Sequence, residues 1–285
     1  MTSTLIVGGL TIDRFPDGTV MPGGSVLHSG LAAAGEGAAL TALTVAGDEP
    51  PARAGLDRLA SLGAVVRQPG PTTVYRHEER DGLRVLVFEA RTEPIGVELL
   101  RDVGRPEVAL VAPIGDEVPA SLVAAMGAEV DPGRTVLLIQ GWLRRLVVGE
   151  EVTALPLDAL AVDQLDAMGE ADAVVVSTED LVESPGDPFA QAAELRRRVG
   201  AHPVLLVTLG ADGYLLDDPG LDRVVASVPR RVVTGVSAVG AGDTFGAALA
   251  LNLARGAGAR AAADLATEHV IAMLEERRAA AGLGA

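Results

Sequence analysis

GVSAVGAGDTFG, residues 235–246, is a glycine-rich turn that leads into an alanine-rich run typical of a helix. Backbone N–H groups at the start of a helix have no intrahelical partner, and the helix dipole favours negative charge there. Gly240 and Gly242 carry no side chain, so the backbone can approach an anion closely. The stretch therefore predicts an anion-binding site at the start of a C-terminal helix.

Asp243 places a carboxylate beside this predicted anion site. A carboxylate is a poor ligand for phosphate, so its presence needs another reason. Accepting the proton of a hydroxyl group that attacks the phosphate is one such reason. The other is an N-cap aspartate after a tight turn. The segment alone leaves both interpretations open.

Apolar runs alternate with amphipathic stretches along most of the chain. We predict buried strands over Thr4–Gly8, Ala39–Val45, Val108–Ala112, Thr135–Ile139, Ala173–Val176 and Val204–Thr208. We predict helices over Ser25–Ala34, Ala52–Leu62, Glu117–Met126, Leu160–Met168, Pro188–Val199, Ala241–Arg255 and Ala259–Arg278. Continuous Val, Ile and Leu runs are typical of strands that are covered on both faces. The βα order indicates a doubly wound, mostly parallel α/β sheet with helices on both faces.

Two segments interrupt this alternation. Thr72–Arg80 and Leu83–Ala90 flank Asp81-Gly82, a dipeptide that favours a hairpin turn. Gly213–Asp217 and Arg223–Val228 have the pattern of a second antiparallel pair. The first hairpin either extends the main sheet or helps to form a small lid.

The composition excludes several classes of function. A formal charge of −16 and an aromatic content of 2% argue against binding to nucleic acid, which needs positive charge and stacking platforms. The chain has no lysine, which excludes a Walker-A P-loop and Schiff-base chemistry. It has no cysteine, and its four histidines are dispersed without metal-ligand spacing.

The length and the hydropathy pattern set the expected size and location. A chain of 285 residues suits one large α/β domain. No basic N-terminal segment precedes an apolar stretch, and no apolar run is long enough to span a bilayer. We therefore expect a cytoplasmic protein that binds no membrane.

Further landmarks accompany Gly240–Phe245 in a characteristic order. Ile6-Val7-Gly8 precedes Asp13, and Pro22-Gly23-Gly24 opens a helical run; Ser177-Thr178-Glu179-Asp180 and the segment from Val207 to Gly213 follow later. The ordered set resembles the ribokinase-like (PfkB) carbohydrate kinases over almost the whole chain. The short segment between Asp13 and Pro22, residues 72–95 and Gln140–Arg144 are similar to short family members related to myo-inositol kinases. The resemblance implies one ribokinase-like domain over residues 1–285 with a reduced β lid from residues 14–22 and 72–92.

The resemblance also implies an activity and a set of site residues. It implies an ATP- and Mg²⁺-dependent kinase that transfers the γ-phosphoryl group to a hydroxyl of a sugar or cyclitol. Catalytic roles fall on Gly240, Ala241, Gly242 and Asp243, with Asp243 as the base. Roles in binding the small polyhydroxylated acceptor fall on Asp13, Gly23, Gly24, His28 and Gln140. Nucleotide-binding roles fall on Ser177, Asp180, Thr208, Gly210 and Gly213, and Glu179 with Asp180 would hold magnesium through water. The C-terminal helix would line the adenine site, with His269 as a candidate contact.

Two other functions stay open at this point. A nucleoside kinase of the same family is one alternative, although the scarcity of aromatic residues disfavours it. A non-catalytic ligand-binding relative is the other, because Ser177 and Asp180 stand where the family usually has Asn and Glu. Ser237 stands where many members have an aspartate that helps to hold a monovalent cation, so we expect weak or no activation by potassium. The retained Asp243 opposes the non-catalytic alternative, and the resemblance leaves a homodimer open.

Overall fold

The computed structural model describes residues 1–80, 83–182 and 184–282. Its strands are β1 (Ser3–Gly8), β2 (Thr11–Arg14), β3 (Val20–Gly23), β4 (Ala39–Ala46), β5 (Gly63–Pro69), β6 (Thr73–Arg80), β7 (Leu83–Ala90), β8 (Val108–Ala112), β9 (Thr135–Leu138), β10 (Arg144–Arg145), β11 (Thr153–Ala154), β12 (Ala173–Ser177), β13 (Val204–Thr208), β14 (Tyr214–Asp217) and β15 (Val225–Ser227). Its α-helices are α1 (Ser25–Gly35), α2 (Pro50–Ala60), α3 (Ala120–Glu129), α4 (Val162–Glu170), α5 (Pro188–Val199), α6 (Ala241–Ala254) and α7 (Ala259–Ala280). Short 3₁₀ turns lie at Val97–Asp102, Gln140–Leu143, Leu157–Ala159, Thr178–Asp180 and Gly210–Asp212.

The main sheet has the strand order β15-β14-β13-β12-β9-β8-β1-β4-β5. The strands from β5 to β13 in this order pair in parallel, and β14 and β15 add an antiparallel edge. The chain places β4 and β5 on one side of β1, and then β8, β9, β12 and β13 on the other. The carboxyl ends of β1 and β8 therefore border the point where the strand order reverses, which is where open α/β sheets bind ligands. This confirms the predicted fold class.

Helices cover both faces of the main sheet and form two apolar cores. Ile6 of β1 packs in the core beneath α1, α2, α6 and α7. Its neighbours Leu5 and Val7 point the other way and pack in the core beneath α3, α4 and α5. The alternation follows from the pleat of the strand, and burial on both faces explains why β1 is a continuous apolar run.

A second, small sheet has the strand order β3-β2-β6-β7. The β6–β7 hairpin does not extend the main sheet, because β6 pairs in parallel with β2. For the short segment between Asp13 and Pro22 we expected a reduced β lid and gave no strand bounds. Two four-residue strands fit there as an antiparallel pair. The predicted turn at Asp81-Gly82 lies outside the described residues.

Helices α2, α3 and α4 are shifted by two or three residues from their predicted bounds. The helix predicted to begin at Glu117 begins at Ala120, after Pro119 at the N-cap position. Glu117 instead turns inward, where its carboxylate accepts hydrogen bonds from the backbone N–H groups of Ile114 (2.8 Å) and Gly115 (2.9 Å). The helix predicted over Leu160–Met168 begins at Val162, since the 3₁₀ turn ends just before Leu160.

One strand of the main sheet was not predicted. Strand β5 pairs in parallel with β4 at the edge of the main sheet and is mostly half-buried. Its sequence therefore lacks the continuous apolar run that marks a central strand. Within the described ranges, no helix is both long enough and apolar enough to cross a membrane.

Candidate active site

A cavity of about 560 Å³ opens at the carboxyl end of the parallel sheet and is bordered by both sheets, α1, α6 and α7. It collects most of the site residues that the sequence predicted. The predicted residues that border it are Asp13, Gly24, His28, Gln140, Ser177, Glu179, Asp180, Thr208, Gly210, Gly213, Gly240, Ala241, Gly242 and Asp243. Gly23 and the candidate contact His269 do not border it. A Cβ at Gly23 would lie 2.2 Å from Oδ2 of Asp13, so this glycine makes room for the Asp13 carboxylate.

Asp243 is the third residue of α6, and it does not cap the helix. Gly240 occupies the N-cap position with a left-handed φ of 78°, and no side chain caps the helix. Within the described parts of the chain, no group donates a hydrogen bond to the Asp243 carboxylate. The N-cap interpretation is therefore wrong, and this carboxylate has no structural hydrogen bond to explain it.

The surroundings of Asp243 shift its protonation equilibrium. Protein encloses the carboxyl group, and this burial raises the pKa of Asp243 above its usual value. Positive charge on His28 and Arg144 opposes the increase, and the negative charge of Asp13 adds to it. A carboxyl group with a raised pKa is the better proton acceptor once it is ionised.

Backbone N–H groups at the start of α6 lie where the anion site was predicted, but one of them already has an acceptor. The N–H of Ala241 donates to the carbonyl oxygen of Ala238 at 3.0 Å and is therefore not available to an anion. The N–H groups of Gly240, Gly242 and Asp243 meet no acceptor among the described residues. These three groups, beside the positive end of the helix dipole, are the donors that a phosphate oxygen would find.

Two glycines allow the backbone to come this close. A Cβ on Gly240 would lie 2.7 Å from Cγ of His28, so the imidazole packs directly against the turn. Gly24 has a φ of 95°, and a Cβ there would lie 2.2 Å from the carbonyl oxygen of Gly9. These contacts bring the start of α1 against β1 and the start of α6 against α1.

Asp13 follows β1 in the chain, as the sequence order indicated, and lies in β2 of the small sheet. The Thr11 hydroxyl donates to its Oδ1 at 3.0 Å, and Nε2 of His77 lies 3.7 Å from the same oxygen. The ring of Phe15 stacks on His77 with 4.4 Å between the ring centroids. Tyr75 and His77 are two residues apart in β6, so they lie on the same face of the strand, and both border the cavity. The sequence analysis missed both, although their spacing of two residues in a predicted strand was a usable signal.

Gln140 and Asp180 come from different strand ends and contact each other directly. Nε2 of Gln140 lies 3.2 Å from Oδ1 and 3.3 Å from Oδ2 of Asp180. Burial raises the pKa of Asp180, and the Gln140 amide and the nearby Arg144 oppose that increase. The predicted acceptor-binding glutamine therefore orients a residue that was predicted to serve the nucleotide.

Arg144 was quoted in the sequence motif but given no role. Of the described residues that border the cavity, it is the one arginine. Its Nη1 donates to the carbonyl oxygen of Ile114 at 3.2 Å, and the Tyr75 hydroxyl donates to the same oxygen at 2.9 Å. Burial raises the pKa of Tyr75 to about 12, so the hydroxyl remains a donor at neutral pH.

The other end of the cavity is bordered mainly by uncharged groups. Strand β13 ends at Thr208, and Gly210 and Gly213 follow it; both glycines have positive φ values. Thr267 and Val270 of α7 border the cavity here, as expected for the C-terminal helix. His269 does not border it; this side chain turns away and pairs with Glu36.

The donor set for a metal ion is sparse. No group of three or more His, Cys, Asp or Glu side chains is suitably placed in the part of the chain that the structure describes. Glu179 is exposed at the cavity and Asp180 is buried against Gln140. These residues fit a Mg²⁺ ion that takes its other ligands from phosphate oxygens and water, as is common for this metal.

Comparisons with known proteins agree with this geometry. The family profile described as pfkB family carbohydrate kinase matches residues 149–281, which include Ser177, Thr208 and Asp243. The match covers just under half of the chain, so its C-terminal part is similar to carbohydrate kinases, which are phosphotransferases that act on a hydroxyl group. No curated protein sequence matches the chain.

Solved structures of pfkB-type kinases share the fold. A pyrophosphate-dependent kinase in the ribokinase family, complexed with a pyrophosphate analogue and myo-inositol, has a TM-score of 0.78 and 16% identity, with 95% of each chain covered. Fructokinase from Vibrio cholerae O395 has a TM-score of 0.71 and 18% identity, with 97% of this chain and 99% of that chain covered. Ribokinase from Thermotoga maritima has a TM-score of 0.70 and 16% identity, with 95% and 92% covered. Identities this low establish the fold alone.

Proposed function

We propose that this protein is a sugar kinase that transfers the γ-phosphoryl group of ATP to a hydroxyl of a sugar or cyclitol, with Asp243 as the general base. One observation carries the proposal. A carboxylate that accepts no hydrogen bond from the described residues lies beside three backbone N–H groups that have no protein acceptor. These groups border the cavity and have no partner in the described protein, so a ligand in the cavity can pair with all of them.

The proposed reaction uses these groups directly. The N–H groups of Gly240, Gly242 and Asp243 would bind the oxygens of the transferring phosphoryl group and stabilise the charge on them. The acceptor oxygen would form its bond to phosphorus as the bond to ADP breaks, and its proton would pass to the Asp243 carboxylate. Mg²⁺ bound to the phosphates would neutralise further charge, with Glu179 and Asp180 as the carboxylates that would hold it through water.

The donor end of the cavity favours a nucleotide. Pyrophosphate is small and highly charged, and a site built for it needs cationic side chains. Arg144 is the one arginine among the described residues that border the cavity and the chain has no lysine, whereas Val270 offers an apolar wall that suits an adenine base. Pyrophosphate is the second candidate, because a pyrophosphate-dependent kinase shares the fold over 95% of this chain.

The acceptor end favours a polyhydroxylated compound. Asp13, His77 and the carbonyl side of Gln140 offer charged and polar groups at the switch point of the sheet. Such groups pair with the several hydroxyls of a sugar or cyclitol. A nucleoside acceptor remains the alternative within the same family.

A matrix of donors and acceptors tests the proposal. ADP or phosphate release would be measured with ATP and with pyrophosphate against myo-inositol, other cyclitols, hexoses, pentoses and nucleosides. We expect turnover with ATP and a sugar or cyclitol, abolished in Asp243→Asn. Turnover with pyrophosphate only would overturn the donor assignment, and a nucleoside as the preferred acceptor would overturn the acceptor class.

A further inference from the structure

We infer that Arg277 is a positioning residue that shapes the anion-binding turn, residues 235–240, from the far end of α7. The inference rests on the proposed function, because its consequence is seen in how the turn binds phosphate. It assigns a role to a residue that lies outside every sequence motif considered above and does not border the cavity.

The geometry of Arg277 is specific. A single guanidinium nitrogen, Nη1, donates to the carbonyl oxygens of Ser237 and Val239, each at 2.7 Å. The residue is half-buried, and no carboxylate in the described part of the chain lies within ion-pair distance of it. Partial burial lowers the pKa of Arg277, yet an arginine keeps its charge at neutral pH. Its positive charge is therefore balanced mainly by two backbone carbonyl dipoles.

These two bonds determine which way the neighbouring N–H groups point. In a trans peptide the carbonyl oxygen of one residue and the N–H of the next point in opposite directions. Holding the carbonyls of Ser237 and Val239 toward α7 therefore turns the N–H groups of Ala238 and Gly240 away from it. Both residues border the cavity, and Gly240 carries one of the three unmatched donors. Arg277 thus orients part of the anion site without touching the anion.

The charge of the guanidinium matters as much as its shape. Ser237 and Ala238 are exposed, and the hydrogen bond within this turn from Val239 N–H to the Ser237 hydroxyl is long, at 3.3 Å. Two carbonyl oxygens that face the same point repel each other unless a cation lies between them. Without Arg277 the turn would relax, or a small cation from solution would take the place of the guanidinium.

The test compares neutral replacements with a matched control. Arg277→Met removes charge and donors, and Arg277→Gln keeps one amide donor at similar length. Arg231→Met is the control. Arg231 also contacts α7, through an ion pair with Glu275 at 2.9 Å, but it is exposed and does not border the cavity. ATP and inorganic phosphate binding would be measured by calorimetry, and kcat and KM by ADP release. Each measurement would be made in tetramethylammonium buffer, with and without guanidinium or potassium ions, and a thermal melt would accompany each variant.

We expect Arg277→Met to bind phosphate and ATP about tenfold or more weakly and to lose about tenfold or more in kcat, with acceptor KM unchanged. Guanidinium or potassium ions should restore part of both losses, and Arg277→Gln should fall between the wild type and Arg277→Met. Arg231→Met should match the wild type. Wild-type phosphate binding in either folded Arg277 variant would overturn the inference. So would a loss that follows the melting temperature and that no added cation restores, because that pattern marks a purely structural contact.

Phosphate binding separates this inference from the proposed function. If the wild type turns over no donor and acceptor pair yet Arg277→Met weakens phosphate binding with cation rescue, the proposed function fails and the positioning role stands. If turnover is found and Arg277 has no effect on binding or kcat, the positioning role fails alone. Should Arg277→Met not fold, Arg277→Gln decides by the same criteria.

Discussion

Replacing Asp243 with asparagine tests the proposed base directly. Its carboxylate accepts no hydrogen bond from the described residues, so asparagine keeps the shape and removes only the charge and the basicity. Loss of a positioned general base reduces the rate by about 10²–10⁴, which corresponds to roughly 3–5 kcal/mol of activation barrier. We expect kcat to fall within this range in an ADP-release assay. Calorimetry should show that ATP affinity is retained.

The same substitution should raise the stability of the fold at neutral and alkaline pH. Burial raises the pKa of Asp243, so the folded state favours the protonated carboxyl and ionising it costs folding free energy. The protonated Asp243 carboxyl therefore contributes to folding stability. This contribution is fully present below the pKa of the unfolded state, about 3.9, and is lost as the pH rises through the pKa of the folded state. Asparagine does not ionise, so it escapes the loss. The melting temperature of Asp243→Asn should exceed that of the wild type at pH 8, and the difference should shrink as the pH is lowered.

Asp187→Asn provides the matched control, because Asp187 also lies at the start of a helix. Its Oδ1 accepts hydrogen bonds from the N–H groups of Phe189 and Ala190, each at 3.1 Å, and so caps α5. Asparagine caps about as well as aspartate, so neither kcat nor the melting temperature should change. A kcat for Asp243→Asn within about threefold of the wild type, under 1 kcal/mol of barrier, would refute the role of base. A lower melting temperature at pH 8 would refute the burial argument.

Three further changes test the architecture of the site. Gly24→Ala should destabilise the fold by about 2–4 kcal/mol in urea unfolding, because a Cβ at φ 95° would lie 2.2 Å from a backbone oxygen of Gly9; an unchanged midpoint would contradict the stated contact. Gln140→Leu should cost about 1–3 kcal/mol at pH 8, because it removes the amide donor from buried Asp180. That cost should shrink toward acid pH as the carboxyl is protonated, and a cost that grows would count against the pairing. Tyr75→Phe should lower stability by about 1 kcal/mol in thermal unfolding, since a buried carbonyl oxygen loses its 2.9 Å donor; no loss would mean that another donor replaces it.

The central strands could be predicted because burial on two faces leaves a local mark. Strands such as β1, β8, β12 and β13 are continuous apolar runs, and the structure places them within a residue or two of the predicted bounds. The short strands β2 and β3 and the edge strand β5 leave no such mark. Strands β2 and β3 have four residues each and β5 is mostly half-buried, so none is a long apolar run, and pairing with neighbours makes them strands.

The candidate site divides in the same way. The turn at Gly240 and the carboxylate of Asp243 are contiguous in the chain, so glycine content, helix start and acid side chain could be interpreted together. The contributions of Tyr75, His77 and Arg144 depend on how the small sheet folds over the main one. The spacing of residues along the sequence does not show how the small sheet packs against the main sheet.

The sequence by itself determined the order of most elements, the parallel character of the main sheet and the position of the glycine-rich turn before α6, because each depends on side chains within one turn or one strand. Only the tertiary structure decided what surrounds that turn. Gln140 contacts Asp180, which lies 40 residues further along the chain. Arg277 of α7 contacts Ser237, which lies 40 residues earlier in the turn before α6. The Ser29 hydroxyl reaches the Asp243 carbonyl oxygen across 214 residues. Such contacts arise when packed elements bring distant atoms within hydrogen-bond range, and no local pattern of residues encodes that distance.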